Sequence, residues 1–237
     1  MKAVVLAGGK GTRLAPYTKI LPKPLMPIGD MPILEVLIRQ MRQAGIEEVI
    51  LTVGHMAGLL KAFFNNGSQF GMPISYCYEE QPLGTAGPLA SIQGLESTFL
   101  VMNGDVLTSL CLGDLIRFHK ESRSTATIAM HHRKVKIDLG VIQTNDNQEI
   151  VDYIEKPTFD YMVSMGIYVF EPHVLSYIPP RQYLDFPELV HKLLAAHEKV
   201  VGLPYDGYWQ DLGSPGDYEQ ANQDFDKLRN IFLPNDY

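Results

Sequence analysis

Four short apolar runs separated by amphipathic segments constrain this chain more than any other feature of its sequence. "KAVVLA", "EEVILTV", "PISYCYEE" and "TFLVMNGD" read as strands. Between the first two, "PILEVLIRQMRQAG" places Ile33, Leu34, Leu37, Ile38 and Met41 at helical spacing, with Gly45 as a stop. "AGLLKAFFNNG" is a second helix ending at Gly67, and "GPLASIQGL" a short third. Strands this apolar need cover on both faces, so the βαβαβαβ order predicts a mainly parallel sheet with helices on either side. Beyond residue 120 the rhythm changes: "STATIAMHH", "LGVIQT", "EIVDYIEK" and "MVSMGIYVF" are strands with short connections, as in an antiparallel arrangement. Helices return at "FPELVHKLLAAHEKV" and "PGDYEQANQDFDKL", the latter with Ser214 as N-cap, Pro215 in the first turn and Asp217 three residues after the cap. No linker, repeat or low-complexity tract divides residues 1–237, which are expected to form one domain.

Composition removes several function classes. The formal net charge is −7, which argues against a general nucleic-acid surface. The apolar runs fall far short of the ~20 residues a membrane span needs, and the N-terminus lacks a secretory h-region, so a cytoplasmic protein is expected. Cys77 and Cys111 show neither CxxC spacing nor a nearby His partner; both are expected to be buried, reduced thiols. Positive charge is concentrated instead. Residues 1–29 hold Lys2, Lys10, Arg13, Lys19 and Lys23 and no acid. Most of these cations lie in "LAGGKGTRLAPYTKILPKPL", which follows the first strand and suits a polyphosphate. Glycines at 8, 9 and 11 let backbone N–H groups approach phosphate oxygens.

In an open α/β sheet, ligands bind beyond the carboxyl ends of the strands. The Gly8 loop, "EEQPLGTAG" and "NGD" all fall there. The first loop lacks the third glycine of a dinucleotide fingerprint, and no "GK[ST]" of a Walker loop occurs.

The stretch "LAGGKGTRLAPYTKILPKPL" resembles the signature of the sugar-1-phosphate nucleotidylyltransferases, G-x-G-T-R-L followed by P-K-P. "QPLGTAG", "NGD", "EKP", "GIYVF" and "WQDLG" follow in the family's order along the whole chain. The resemblance implies a Rossmann-like mixed sheet with a small antiparallel sugar-binding lobe, here without the family's usual C-terminal β-helix. It implies joining of a nucleoside triphosphate to a sugar 1-phosphate, with release of pyrophosphate. The nucleophile, a phosphate oxygen, is already ionised, so the chemistry calls for cations and a metal rather than a general base.

By the same resemblance Arg13, Lys23 and Asp105 are catalytic. Leu6, Ala7, Gly8, Gly9, Gly11, Thr12, Gln81, Gly84, Thr85 and Gly104 would bind nucleotide, with Gln81 reading the base edge. Lys23, Gly140, Glu155, Lys156 and Gly166 would bind the sugar phosphate, and Asp105 and Asp211 would hold Mg²⁺, whose preference for hard oxygen ligands they match. Taken singly, either aspartate reads as a turn residue, "QPLGTAG" as a turn with a helix cap at Thr85, and "EKP" as a surface ion pair. His131 and His132 are adjacent on a strand and face opposite sides. Tyr76, Tyr78, Phe63 and Phe64 fit a core, and Trp209 fits a support beneath the Asp211 loop.

"EEQPLGTAGPLA" is most similar to mannose- or heptose-1-phosphate guanylyltransferases, which favours GTP. Thymidylyl-, uridylyl- and cytidylyltransferases of glucose 1-phosphate remain alternatives. So does a non-catalytic nucleotide-sugar-binding relative, although Arg13, Lys23, Asp105 and Asp211 are all retained. A glycosyltransferase of related fold would show Asp-x-Asp where this chain has Asn103, Gly104 and Asp105. Homodimers are common in the family.

Overall fold

The computed structural model describes residues 1–234. Its first half follows the predicted rhythm. β1 (Lys2–Leu6) is followed by two minimal strands, β2 (Pro27–Ile28) and β3 (Met31–Pro32), then α1 (Ile33–Gln43), β4 (Glu48–Val53), α2 (Ala57–Phe64) and β5 (Ile74–Tyr78). The segment predicted as a third helix is a 3-10 turn at Gly87–Ser91, and β6 (Phe99–Asn103) and β7 (Val106–Thr108) come next. α3 (Leu112–Ser122), β8 (Ala126–Lys136), β9 (Val141–Thr144), β10 (Ile150–Ile154) and β11 (Thr158–Phe170) lead to α4 (Phe186–Ala195). The described chain ends with β12 (Val200–Tyr205), β13 (Trp209–Asp211) and α5 (Pro215–Phe232).

A seven-stranded sheet in the order β12-β8-β11-β6-β1-β4-β5 forms the centre. β1, β4, β5 and β6 are parallel neighbours, and β11 is antiparallel to both β6 and β8. β12 pairs parallel with β8, so β11 alone runs against the other six. Antiparallel pairing is otherwise confined to the small sheets β9–β10, β7–β13 and β2–β3. β12 lies in a segment where no strand is predicted, because "VVGLPY" carries a glycine and a proline and shows no alternation. Both are tolerated at a sheet edge, where β12 sits.

Helix α1 buries its predicted stripe completely: Ile33, Leu34, Leu37, Ile38 and Met41 are inaccessible to water. Removing one such Leu or Ile side chain costs about 2–5 kcal/mol, because the surrounding core does not fully collapse into the void. One face of the sheet packs Val5, Leu51 and Met102 against α1 and α2, and the other packs Val4, Val101 and Phe170 against Phe186 and Leu189 of α4. A third apolar cluster joins Leu14 and Met26 to Phe225 and Phe232 of α5, whose rings stack at 5.6 Å. The glycine-rich loop thus rests on α5. That helix begins as predicted, with the Asp217 amide donating to Ser214 Oγ at 3.3 Å.

Some burial expectations are corrected. Cys111 is exposed, because it precedes α3 rather than packing beneath it, and Cys77 is only partly covered. Tyr78 and Phe63 are also exposed: Tyr78 ends the edge strand β5, and Phe63 lies on the solvent side of α2 while Phe64 enters the core.

Candidate active site

The loop after β1 is anchored where it begins. The Ala7 amide donates to Thr52 O at 3.0 Å and the His55 amide to Gly8 O at 3.4 Å, which ties the loop to the end of β4. Gly11 has φ +60°, and its carbonyl accepts from Thr18 Oγ1 at 2.8 Å. Beyond it one 3-10 turn, Thr12–Leu14, buries Leu14 as a plug and leaves Arg13 exposed on the opposite side. Leu6, Ala7, Gly9, Gly11, Thr12, Arg13, Lys23 and Gly104 line one recess of about 270 Å³.

Lys23 is 7% exposed, between Pro22 and Pro24, and its ammonium pairs with Asp105 Oδ2. Asp211 Oδ1 lies 4.0 Å from the same nitrogen. Two local features bring these distant carboxylates together. The Gly104 amide donates to Leu6 O at 3.0 Å, which fixes the turn after β6, and a Cβ there would lie 2.8 Å from that carbonyl. The antiparallel pairing of β13 with β7 then sets Asp211 opposite Val106, while the Leu212 amide donates to Asp105 O at 3.0 Å. Burial raises the Asp211 pKa and the neighbouring Asp105 charge raises it further, against the pull of Lys23 and Arg13. The Arg13 guanidinium lies over Gly213: a Cβ built there would be 3.0 Å from Nη2.

A larger cleft of about 860 Å³ adjoins this recess and shares Leu6, Gly9 and Asp105 with it. Its far wall is the "EEQPLGTAG" loop, bound to residues 183–186. The Ala86 and Gly87 amides donate to Leu184 O at 2.9 and 3.0 Å, and Gly84, with φ +78°, lies so close to Leu184 that a Cβ would collide with its carbonyl. Thr85 donates from its amide and hydroxyl to Asp185 Oδ1 and accepts from the Phe186 amide at 2.9 Å. Its hydroxyl joins two segments instead of capping the turn that follows it.

Gly8, Gln81, Gly84 and Thr85 all line this cleft, but Gln81 is exposed. Its half-buried carboxyl is Glu79. A Cβ at Gly8 would lie 2.7 Å from Glu79 Oε1, and the Leu83 amide is 3.4 Å from Oε2. Burial pushes the Glu79 carboxyl up, against that amide. Beside these lies the buried Thr52 hydroxyl, which with the Leu83 amide opposes that rise. Neither Glu79 nor Thr52 stands out in the sequence reading. No local signal singles them out, because β5 ends at Tyr78 and the loop beyond it takes its shape from docking on residues 183–186.

The predicted sugar-phosphate residues divide. Gly166, φ +72°, sits at the β11 register shift, and its missing Cβ makes room for Asn103 of the cleft wall. Trp209 Nε1 donates to Met165 O at 3.0 Å, so the indole braces this bulge as well as preceding Asp211. Gly140 instead lies against the Tyr153 hydroxyl, and Glu155 and Lys156 form an exposed 3.6 Å ion pair at the end of β10, outside the cleft lining. His131 Nδ1 lies 2.8 Å from Tyr205 O while His132 faces solvent, as their adjacency requires.

A family profile described as nucleotidyl transferase matches residues 2–227. The chain belongs to that family. It is 36% identical over 229 residues to a mannose-1-phosphate guanylyltransferase of Mycobacterium tuberculosis, covering 94% of this chain and 64% of the relative. It is 35% identical over 256 residues to a UTP–glucose-1-phosphate uridylyltransferase of Synechocystis, covering 99% and 66%. The nucleotidyl transferase chain thus spans about two thirds of the length of these curated relatives. A Bacillus anthracis structure assigned as a glucose-1-phosphate thymidylyltransferase superposes with a TM-score of 0.78 at 24% identity, covering 100% of this chain and 97% of that one. HddC from Yersinia pseudotuberculosis gives 0.71 at 24% identity, covering 94% and 99%. These structures establish the shared fold of the nucleotidyl transferase chain. Among the described residues no helix is long and apolar enough to cross a membrane.

Proposed function

We propose that the chain transfers a nucleotidyl group from a nucleoside triphosphate to a sugar 1-phosphate, giving a nucleotide-sugar and pyrophosphate in the cytoplasm. The observation that carries this reading is the convergence of Arg13, Lys23, Asp105 and Asp211 at the carboxyl ends of β1 and β6. The sugar phosphate oxygen attacks the α-phosphorus and the α–β bridging oxygen leaves with pyrophosphate. No proton need be removed from the nucleophile. The exposed guanidinium of Arg13 takes two oxygens of the departing pyrophosphate, a bidentate contact that a lysine cannot reproduce. Lys23 neutralises charge at the α-phosphate, and backbone N–H groups at Gly8, Gly9 and Gly11 take the remaining oxygens.

Asp105 and Asp211 fit a hard divalent cation such as Mg²⁺: they are two neighbouring carboxylates, and burial, with the Asp105 charge beside it, makes Asp211 resist ionisation. Among the described residues no cluster of three or more potential metal-ligating side chains forms, so phosphate and water oxygens would complete the shell. Bound there, Mg²⁺ would supply charge neutralisation and alignment of the phosphates.

For the base, we favour guanine. A carboxylate only accepts hydrogen bonds, and the Watson–Crick edge of guanine offers adjacent N1–H and N2–H donors to Glu79. The guanylyltransferase relative points the same way. A manno-configured sugar would lie towards Gly166 and Asn103, with Glu155 and Lys156 approaching from the β10 end. The Synechocystis relative supports a second reading, uridylyl transfer to glucose 1-phosphate. Comparison of kcat/KM for GTP, UTP, dTTP and CTP with mannose 1-phosphate and glucose 1-phosphate tests the choice: preference for GTP with mannose 1-phosphate is expected, and preference for UTP with glucose 1-phosphate would replace it.

A further inference from the structure

The exposed rings of Phe63, Tyr78 and Tyr161 each lean on a neighbouring ring, at 4.9 Å from Phe64, 6.4 Å from Tyr76 and 6.4 Å from Phe159. Tyr183 does not. It is 62% exposed and meets no other ring among the described residues. Of the residues that line the larger cleft, it alone is a Phe, Tyr or Trp.

Exposure does not leave this side chain loose. The Tyr183 hydroxyl donates to Asp185 Oδ2 at 2.6 Å, and Asp185 Oδ1 accepts from the Thr85 amide at 2.8 Å and the Thr85 hydroxyl at 3.1 Å. Against its burial, these bonds hold the Asp185 carboxyl below the usual carboxylate range. The bond to that carboxylate in turn pushes the Tyr183 phenol up, so it stays protonated and tethered at neutral pH. The backbone is fixed as well: the Leu184 amide donates to Leu83 O at 3.0 Å, and a Cβ at Gly87 would lie 2.7 Å from Gln182 O. The acceptors of Asp185 are occupied in holding this wall, so what the wall offers a ligand here is the tyrosine ring. A ring fixed beforehand has little rotamer freedom left to lose when a ligand meets it.

We propose that Tyr183 is the stacking surface for the nucleobase, with Asp185 as the positioning residue that holds its ring in the cleft. The inference rests on the reading of this cleft as a nucleoside triphosphate site, and on no choice of base. The base is the favoured partner because the cleft is built from the ends of β1, β4 and β6 and the loop after β5. Gly140, Glu155 and Lys156 of the antiparallel lobe do not line it, and Gly166 reaches it only through Asn103. Its nearer wall is backbone at Gly8, Gly9 and Gly54, which has no side chain to cover the face of a ring. Stacking tolerates every base, since each has a π-face, and a purine presents the larger one. Tyr183 therefore supplies affinity for any nucleotide and most for a purine, whereas the edge of the base is read elsewhere in the cleft.

Calorimetric titration of the full chain with GTP, UTP and inorganic tripolyphosphate, in Mg²⁺ and without sugar 1-phosphate, tests it. Tyr183→Ala should weaken GTP binding by about 5- to 150-fold, the range of one base–aromatic stack, and UTP binding by less. Tripolyphosphate, which has no base, should bind both proteins equally. Tyr183→Phe keeps the ring and loses the tether, and should stay within about threefold of wild type. If the alanine variant fails to fold, Tyr183→Trp decides: it adds a second indole to Trp209, and its emission should be quenched by GTP and not by tripolyphosphate. An unchanged Kd for GTP in Tyr183→Ala overturns the proposal, as does an equal loss of tripolyphosphate binding, which would make the ring a support for the phosphate loop. A rise in KM for the sugar 1-phosphate with the GTP affinity intact also overturns it and assigns the ring to the sugar. Nucleotide binding that depends on Tyr183 without nucleotidyl transfer would overturn the functional reading alone, and a wild-type chain that binds no nucleotide would overturn both.

Discussion

Replacing Lys23 by methionine removes the one buried cation between Asp105 and Asp211 while keeping most of the side-chain volume. Breaking a fully buried ion pair from one side costs about 3–5 kcal/mol, because it leaves an uncompensated charge. Here the carboxylates are only partly covered, with Asp105 28% and Asp211 46% exposed in their side chains, so water takes up part of the loss. We expect about 2 kcal/mol at neutral pH, or a fall in Tm of about 4–8 °C for a chain of this size. The pH dependence has a definite sign. The Asp211 pKa in the folded chain lies above its ordinary value, so the folded state holds more protons than the unfolded state in the window just above that value. Stability therefore falls as pH rises through this window, and the loss is fully present above the raised pKa. Lys23→Met deepens the same loss, and its deficit should shrink as the pH is lowered into the carboxylate range. A cation held by both aspartates replaces the missing charge, stabilising by about 2.7 kcal/mol when present at a hundred times its Kd. Thermal unfolding of wild type and variant at several pH values, with and without millimolar Mg²⁺, reads all three effects. Mg²⁺ should raise the Tm of the variant more than that of wild type, where Lys23 competes for Asp105. An unchanged Tm, or an equal response to Mg²⁺ in both proteins, would refute the reasoning.

Other expectations bear on the same cleft. Asp105→Asn should leave the circular dichroism spectrum intact and remove most turnover; wild-type rates at limiting Mg²⁺ would contradict the role assigned to it. Arg13→Lys retains charge but loses the two-pronged contact, and should lower kcat by about tenfold or more in a steady-state assay. Glu79→Gln should lower kcat/KM for GTP by the equivalent of about 1–3 kcal/mol, the range of a good bidentate base contact, and leave the other triphosphates nearly unchanged. Gly104→Ala forces a Cβ against Leu6 O and should cost about 1–3 kcal/mol of stability, measured by urea unfolding.

The parallel half of the fold was legible because its signals are local: helical spacing of Ile33, Leu34, Leu37, Ile38 and Met41, and a Ser214 cap three residues before Asp217. β12 was not, since Gly202 and Pro204 disguise a strand that only the sheet edge tolerates. In the site, Arg13, Lys23 and the glycines lie within one short stretch, and their motif could be read directly. Asp105 and Asp211 owe their meeting to the pairing of β7 with β13, three-residue strands too short to announce themselves. Thr85 read as a helix cap because its real partner, Asp185, lies a hundred residues away. Glu79 does not stand out beside Gln81, whose amide matches a base edge in principle, because exposure depends on how the loop docks on residues 183–186. Glu155 and Lys156 show the opposite limit: their motif was clear, yet in the single chain they stand outside the cleft lining.

The central claim is transfer of a nucleotidyl group, and label partitioning tests it most directly. The chain is incubated with Mg²⁺, mannose 1-phosphate and GTP carrying radiolabel at either the α- or the γ-phosphate. The account predicts that α-label appears in a GDP-sugar in step with γ-label in pyrophosphate, and that neither moves without the sugar 1-phosphate. Release of γ-label as orthophosphate, or tight nucleotide binding with no transfer of α-label to any sugar 1-phosphate from any of the four triphosphates, would contradict it.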